Sequence, residues 1–222
     1  MPRFYRKTKE ERQREIREAA KDVFLTKGYR YATMEDVVYR TTLSKGGVYQ
    51  YYKSTKAIMF DIMRGGNYFR YSRSEEIIET LSAEKDVCEI ITQLLLAKLF
   101  DKLPEKKLYV MFLSEIMYDT ETEALFYELE REAWELMLQN CESVLKRRNA
   151  AAADNAEEVA RHAAEQLSVL KSVPEDSVFT LYGRIFSGIL IMYELLRDKK
   201  AFDDNRKEVH DFLYGMLKKV LP

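Results

Sequence analysis

Residues 33–56 read T-M-E-D-V-V-Y-R-T-T-L-S-K-G-G-V-Y-Q-Y-Y-K-S-T-K, and the fold turns on them. Thr33 is a good N-cap, and Met34, Val37 and Val38 follow on one side of a short helix that ends near Arg40-Thr41-Thr42. Ser44 is a second capping residue. Leu43 before it and Val48 at the fourth helical position suit a hydrophobic staple. Two short helices joined by so brief a turn fit a helix-turn-helix.

The second of these helices carries unusual residues. Lys45-Gly46-Gly47 opens it, although glycine in a helix loses roughly 1 kcal/mol relative to alanine. Such a choice suits a helix end that must come close to something bulky, because glycine has no Cβ to clash. Free N–H groups there would face phosphate oxygens. Of the residues that follow, Val48 and Tyr52 are assigned to the core. Tyr49 and Tyr51 are assigned to the exposed side, with hydroxyls for phosphates, and Gln50 is suited to adenine.

Upstream, residues 8–27 read as a helix. Thr8 and Glu11 form a capping box, Ile16, Ala19, Ala20, Val23 and Phe24 make one apolar face, and Gly28 is placed to stop it in a left-handed conformation. Charge follows the same division. Residues 1–56 hold fourteen Lys/Arg against seven Asp/Glu, a net of +7, and the rest of the 222-residue chain a net of −8. A basic head on an acidic body is the pattern expected when one end meets a polyanion.

Other classes find little support. Cys88 and Cys141 have no CxxC pairing and read as buried small hydrophobes, and His162 and His210 lack partners at metal-ligand spacing. No catalytic constellation, metal site or cofactor is expected, so an enzyme is not. No apolar run is long enough to span a membrane and the N-terminus has no apolar signal region, so the expected location is cytoplasmic.

The stretch from Arg12 to Phe60 contains I-R-E-A-A-K-D-V-F-L-T-K-G-Y, A-T-M-E-D-V-V and L-S-K-G-G-V-Y-Q-Y-Y-K-S-T-K-A-I, and it resembles the DNA-binding domain of TetR-family transcriptional regulators. The resemblance implies phosphate contacts from Thr33, Tyr49 and Tyr51, and groove contacts from Ser44, Lys45, Gly46, Gly47 and Gln50. Two departures stand out. The family's turn is usually Ala-Gly-Val-Ser, where this chain has Thr41-Thr42-Leu43-Ser44, which suggests either a different turn or Thr42 held in strain. Thr55 stands where the family has a lysine, leaving Lys53 and Lys56 as alternative phosphate contacts. Arg3, Arg6, Lys7 and Lys9 form a basic arm that either reaches a minor groove or is simply solvated.

An all-α fold is expected throughout, with a helix-turn-helix domain at 1–56 and an effector-binding and dimerisation domain at 57–222. A fourth helix from about Thr55 carries Ile58, Met59, Ile62 and Met63, and Gly65-Gly66 is placed to soften it. Further helices are expected near 84–101, 105–118 and 121–148, the last capped by Thr120 with Glu123. Their aromatic and sulfur-rich faces suit a pocket for a small, largely apolar effector. Phe112, Tyr118, Phe126 and Trp134 are its candidate walls, and Glu115, Glu130 and Tyr182 its candidate polar contacts. Residues 149–172 are Ala-rich and charged, with a thin apolar stripe.

The last two helices, about 176–198 and 203–220, are apolar over a broader face than a surface helix needs. Phe179, Phe186, Ile189, Leu190 and Tyr193 on one, with Phe212 and Met216 on the other, are the candidate dimer contacts. The reading that gathers these features is a homodimeric repressor that binds an inverted-repeat DNA operator and is released by its effector. The alternative is a helical carrier or interaction module with a basic head.

Overall fold

The computed structural model describes residues 7–80, 86–151 and 178–220, with isolated positions 161, 164, 165, 168 and 171 between them. Among the described residues every regular element is a helix. In order these are α1 (Lys9–Lys27), α2 (Met34–Tyr39), α3 (Lys45–Tyr51), α4 (Thr55–Thr80), α5 (Val87–Phe100), α6 (Glu105–Glu115), α7 (Thr120–Ala151), α8 (Val178–Leu195) and α9 (Arg206–Leu217). Single-turn helices lie at Tyr29–Tyr31, Ile116–Tyr118 and Lys200–Asp203. Two compact units result: Met1–Tyr68 with Leu103–Leu129, and Phe69–Lys102 with Glu130–Pro222. Helices α4 and α7 each contribute to both. Arg3, Arg6, His162 and most of 149–172 lie outside the described residues.

Local chemistry accounts for the helix limits in the first unit. Thr8 and Glu11 form the reciprocal capping box, and Thr33 does the same with Asp36. Ser44 Oγ accepts from Gly47 N–H at 3.2 Å, which starts α3. Gly28 ends α1 at φ 88° and ψ 141°, a positive φ that only glycine adopts easily, though with an extended ψ rather than the left-handed helical value expected. Tyr29 then folds back, its ring edge-on to Phe24 at 5.2 Å.

Ile16, Ala20, Phe24, Val37, Val48 and Ile58 are buried to 2 % or less and form the centre of this unit's core. Leu108 and Phe112 of α6 and Leu125, Phe126 and Leu129 of α7 join the same cluster. Three ion pairs border it: Lys21–Glu105 at 3.0 Å, Arg30–Glu115 at 2.9 Å and Lys56–Asp119 at 2.6 Å. The compact unit thus reaches beyond the three-helix head.

One alternative closes and one expectation changes. Of a different turn or a strained Thr42, strain is excluded: among the described residues no non-glycine residue has a positive φ. Helix α4 runs continuously through Gly65 and Gly66. Helix α7 starts one residue early, because Asp119 and not Thr120 is the acceptor: its carboxylate takes the Thr122 N–H at 3.2 Å and the Thr122 hydroxyl.

In the second unit Val87, Cys88, Ile90 and Ile91 of α5 pack with Leu138 and Cys141 of α7 and Leu217 of α9. Both cysteines are free thiols there; burial pushes Cys88 up to about 11 and Cys141 up to about 12, so neither is a ready thiolate. Polar contacts tie α9 to α5. Asp86 accepts from the Tyr214 hydroxyl at 3.1 Å and pairs with Lys218 at 2.8 Å, and His210 meets Glu89 at 3.0 Å. No helix among the described residues is long and apolar enough to cross a membrane.

Candidate functional site

Helix α3 has two distinct sides. Val48 is fully buried and Tyr52, its C-cap, is 5 % exposed, as the sequence suggests. Tyr52 is fixed by its hydroxyl, which donates to Asp61, while Arg17 pairs with the same carboxylate at 2.8 Å. Burial and that carboxylate push the Tyr52 phenol up to about 12, so it stays protonated and structural. The opposite side presents Ser44, Lys45, Gly46, Gln50 and Lys53 to solvent, with Gly47, Tyr49 and Tyr51 half-buried at its margins. Tyr49 and Tyr51 are therefore not wholly exposed: their rings rest against the core.

Several polar groups on or beside this face are already oriented by a neighbour. Thr33 and Ser44 spend their hydroxyls on capping α2 and α3. Lys45 Nζ lies 2.8 Å from Glu35 of α2 and 5.8 Å from the Tyr49 ring centroid. The hydrogen bond between them raises the lysine and lowers the carboxyl from their ordinary values. Lys53 Nζ donates to the Tyr49 carbonyl at 2.7 Å, at the C-terminal end of the helix. Lys56 is held between Asp119 and Glu121, so its charge is largely matched. Lys7 pairs with Glu15 at 2.8 Å while its side chain stays exposed.

Two carboxylates central to this arrangement escaped the sequence reading. Glu15 holds the turn, accepting from Thr42, and Glu35 holds Lys45. Glu15 lies 27 residues from Thr42 and gives no local signal, and Glu35 lies 10 residues from Lys45, in the preceding helix.

The candidate effector residues divide between the units. Phe112 and Phe126 are core side chains of the first. Glu115 and Tyr118 line an open recess there of about 340 Å³, together with Gly28, Tyr29, Arg30 and Met111. The Arg30 guanidinium bonds Glu115 at 2.9 Å and stacks 3.9 Å from the Tyr118 ring centroid. Glu130, Trp134 and Tyr182 belong to the second unit, where Glu130 pairs with Arg184 and Trp134 packs against the core.

Of the candidate dimer contacts, Phe186, Leu190, Tyr193 and Met216 are buried within the subunit's own packing, Ile189 is half-buried, and the Phe179 side chain lies outside those described. Phe212 is 50 % exposed. The exposed apolar stripe of α8 is instead Leu181, Ile185, Met192 and Leu195, with Gly188 between them at the same helical spacing.

Residues 16–62 match the family "Bacterial regulatory proteins, tetR family". The chain is 45 % identical over 65 residues to the uncharacterized HTH-type transcriptional regulator YfiR of Bacillus subtilis, a match spanning 29 % of this chain and 32 % of that relative, or about a third of its length. Solved structures share the fold over nearly the whole chain. A protein of Mesorhizobium loti described as a TetR-family transcriptional regulator superposes with a TM-score of 0.58 at 18 % identity, covering 96 % of this chain and 97 % of its own. GusR of Salmonella enterica gives 0.57 at 14 % identity, covering 95 % of each.

Proposed function

We propose that this chain, a TetR-family DNA-binding transcriptional regulator, is a homodimeric repressor that binds an inverted-repeat operator and is released by a small, largely apolar effector. The observation that carries the DNA part is the two-sided α3. Val48 and Tyr52 fix the helix to the core, leaving Lys45, Gly46, Gln50 and Lys53 on one solvent face. A helix so presented can enter a major groove, with Gln50 at a base edge and lysines at phosphates. Lys53 is the better phosphate contact, since Lys56 already faces two carboxylates.

The exposed stripe of α8 together with Phe212 of α9 is the dimer surface in this reading. It is apolar, continuous along the helix, and separate from the side chains that fill the subunit core. Residues 1–56 then act as the reader and 57–222 as sensor and dimeriser, with a cytoplasmic location as befits a DNA reader. Effector binding shifts α4 and changes the spacing of the two α3 helices, so that effector and operator weaken each other equally.

Selection of binding sites from a random duplex DNA library, at two salt concentrations, tests this function. Enrichment of an inverted repeat, with affinity falling steeply as salt rises, is the expected result. Failure to enrich any sequence at either salt would overturn operator binding and favour the basic-headed interaction module.

A further inference from the structure

The recess bordered by the Tyr29–Tyr31 turn and the end of α6 lies wholly within the first compact unit. Three of its lining side chains are large and stand mostly in water: Tyr31 is 73 % exposed, Met117 76 % and Tyr118 65 %. Single exposed aromatics are ordinary on a surface, but three such side chains round one opening of about 340 Å³ mark a patch that something covers. Tyr29 and Met111, both half-buried, add to the apolar lining.

The chain already seats one cation there. The Arg30 guanidinium lies 3.9 Å from the Tyr118 ring centroid, within cation–π range, and its Nε–H donates to Glu115 Oε1 at 2.9 Å. Both kinds of contact have capacity left. Glu115 Oε2 has no hydrogen-bond partner among the described residues, and there the Tyr31 ring is stacked by no other ring or cation. Arg30 and Glu115 are the charged lining residues and neutralise each other, so the tyrosines decide the sign of the site. Their ring faces attract cations, and the remaining carboxylate oxygen accepts N–H donors.

We propose that this recess binds a planar organic cation of the amidinium or arylammonium class, its charged end on Glu115 Oε2 and its ring against Tyr31 and Tyr118. This rests on the reading of the chain as ligand-responsive, and gives the largely apolar effector a site and a cationic end. The ligand sits beside Arg30 and uses the same two chemistries, so the two cations repel. Arg30 therefore holds affinity below what Glu115 and Tyr118 would give by themselves.

Met111 and Met117 supply the readout. The full-length chain, carbon-13 labelled at its methionine methyls and assigned through Met111→Leu and Met117→Leu, is titrated with benzamidine, benzamide and benzoate. These share one ring and are cationic, neutral and anionic at pH 7. Benzamidine should shift the Met111 and Met117 resonances saturably and bind about tenfold more tightly than benzamide, with benzoate weaker still. Glu115→Gln should remove the preference for benzamidine over benzamide. Arg30→Met frees the Tyr118 face and the other Glu115 oxygen, and should strengthen benzamidine severalfold while leaving benzamide unchanged; it decides the matter by itself should Glu115→Gln not fold. Benzamide or benzoate binding as tightly as benzamidine, methyl resonances that do not move, or Arg30→Met weakening benzamidine would overturn the assignment. No DNA is present, so such a failure removes the cation site and leaves operator binding to stand or fall on the selection experiment.

Discussion

Glu15 of α1 accepts both hydrogens that Thr42 offers, the backbone N–H at 2.8 Å and the hydroxyl at 2.5 Å. Its second oxygen takes Lys7 at 2.8 Å and Arg12 at 3.3 Å. The turn of the helix-turn-helix is thereby held from outside, by a side chain of the preceding helix. That explains how Thr42 can stand where the family has glycine: the backbone keeps an ordinary negative φ because its N–H and hydroxyl both have an acceptor.

The pH dependence of that clamp can be measured. Burial works to raise the Glu15 carboxyl, but hydrogen bonds from Lys7 and Thr42 outweigh it and hold the group at about 2, from an ordinary 4.5. A carboxyl lowered on folding contributes stability that is fully present above its unfolded value and lost as pH falls through the folded one. Glu15→Gln should therefore be less stable by about 1–2 kcal/mol at pH 7, and the gap to the unsubstituted protein should close between pH 4.5 and pH 2. Urea denaturation of both proteins across that range checks it; a gap independent of pH would contradict the clamp.

Gly46 separates stability from binding. A Cβ built there meets nothing within 4 Å in the protein, so the glycine is not required by packing. Gly46→Ala should raise stability by up to about 1 kcal/mol through helix propensity. If the missing Cβ leaves room for the DNA backbone, the same substitution weakens operator binding about tenfold or more. Thermal unfolding and fluorescence anisotropy on one preparation read both effects, and unchanged DNA affinity would remove Gly46 from the interface.

The head was legible because its signals are local. Thr8, Thr33 and Ser44 cap helices within three residues of themselves, and Ile16, Val23, Val37 and Val48 repeat at helical spacing. The Glu15 clamp joins residues far apart in sequence, so nothing near Thr42 announced it. Helix α8 was harder for another reason. Phe186, Leu190 and Tyr193 are as apolar as Leu181, Ile185 and Met192, and periodicity alone cannot say which stripe faces its own core. The candidate effector residues fall in both compact units because α7 contributes to each: Phe126 and Glu130 are one turn apart yet lie on either side of the division after Leu129.

Glu35 restrains the lysine that leads α3. A carboxylate beside Lys45 offsets its charge and repels phosphates, although the exposed pair adds little to folding. Glu35→Gln should strengthen DNA binding about threefold to tenfold at low salt and steepen its salt dependence. Lys45→Ala should weaken binding and reduce the salt slope by about one. Anisotropy titrations with the selected operator at several salt concentrations distinguish the two. Glu35→Gln binding more weakly than the unsubstituted protein would mean that Glu35 itself contacts a base or positions Lys45 for one.

The exposed stripe of α8 makes opposite predictions for neighbouring residues. Leu181 is 55 % exposed and Leu195 63 %, whereas Phe186 is 4 % exposed and Leu190 1 %. A charge at a stripe position has water to face in the monomer but none in a dimer that covers it, so Leu181→Glu with Met192→Glu should yield folded monomers that lose operator affinity. Truncating Phe186 to alanine instead opens the subunit core and should cost about 3–5 kcal/mol of stability. Sedimentation equilibrium with circular dichroism on both variants gives mass and folding together. A doubly charged variant that remains a dimer would exclude this stripe as the interface. Dissociation without unfolding, set against an unfolded or strongly destabilised Phe186→Ala, would assign the two sides of α8 their separate roles.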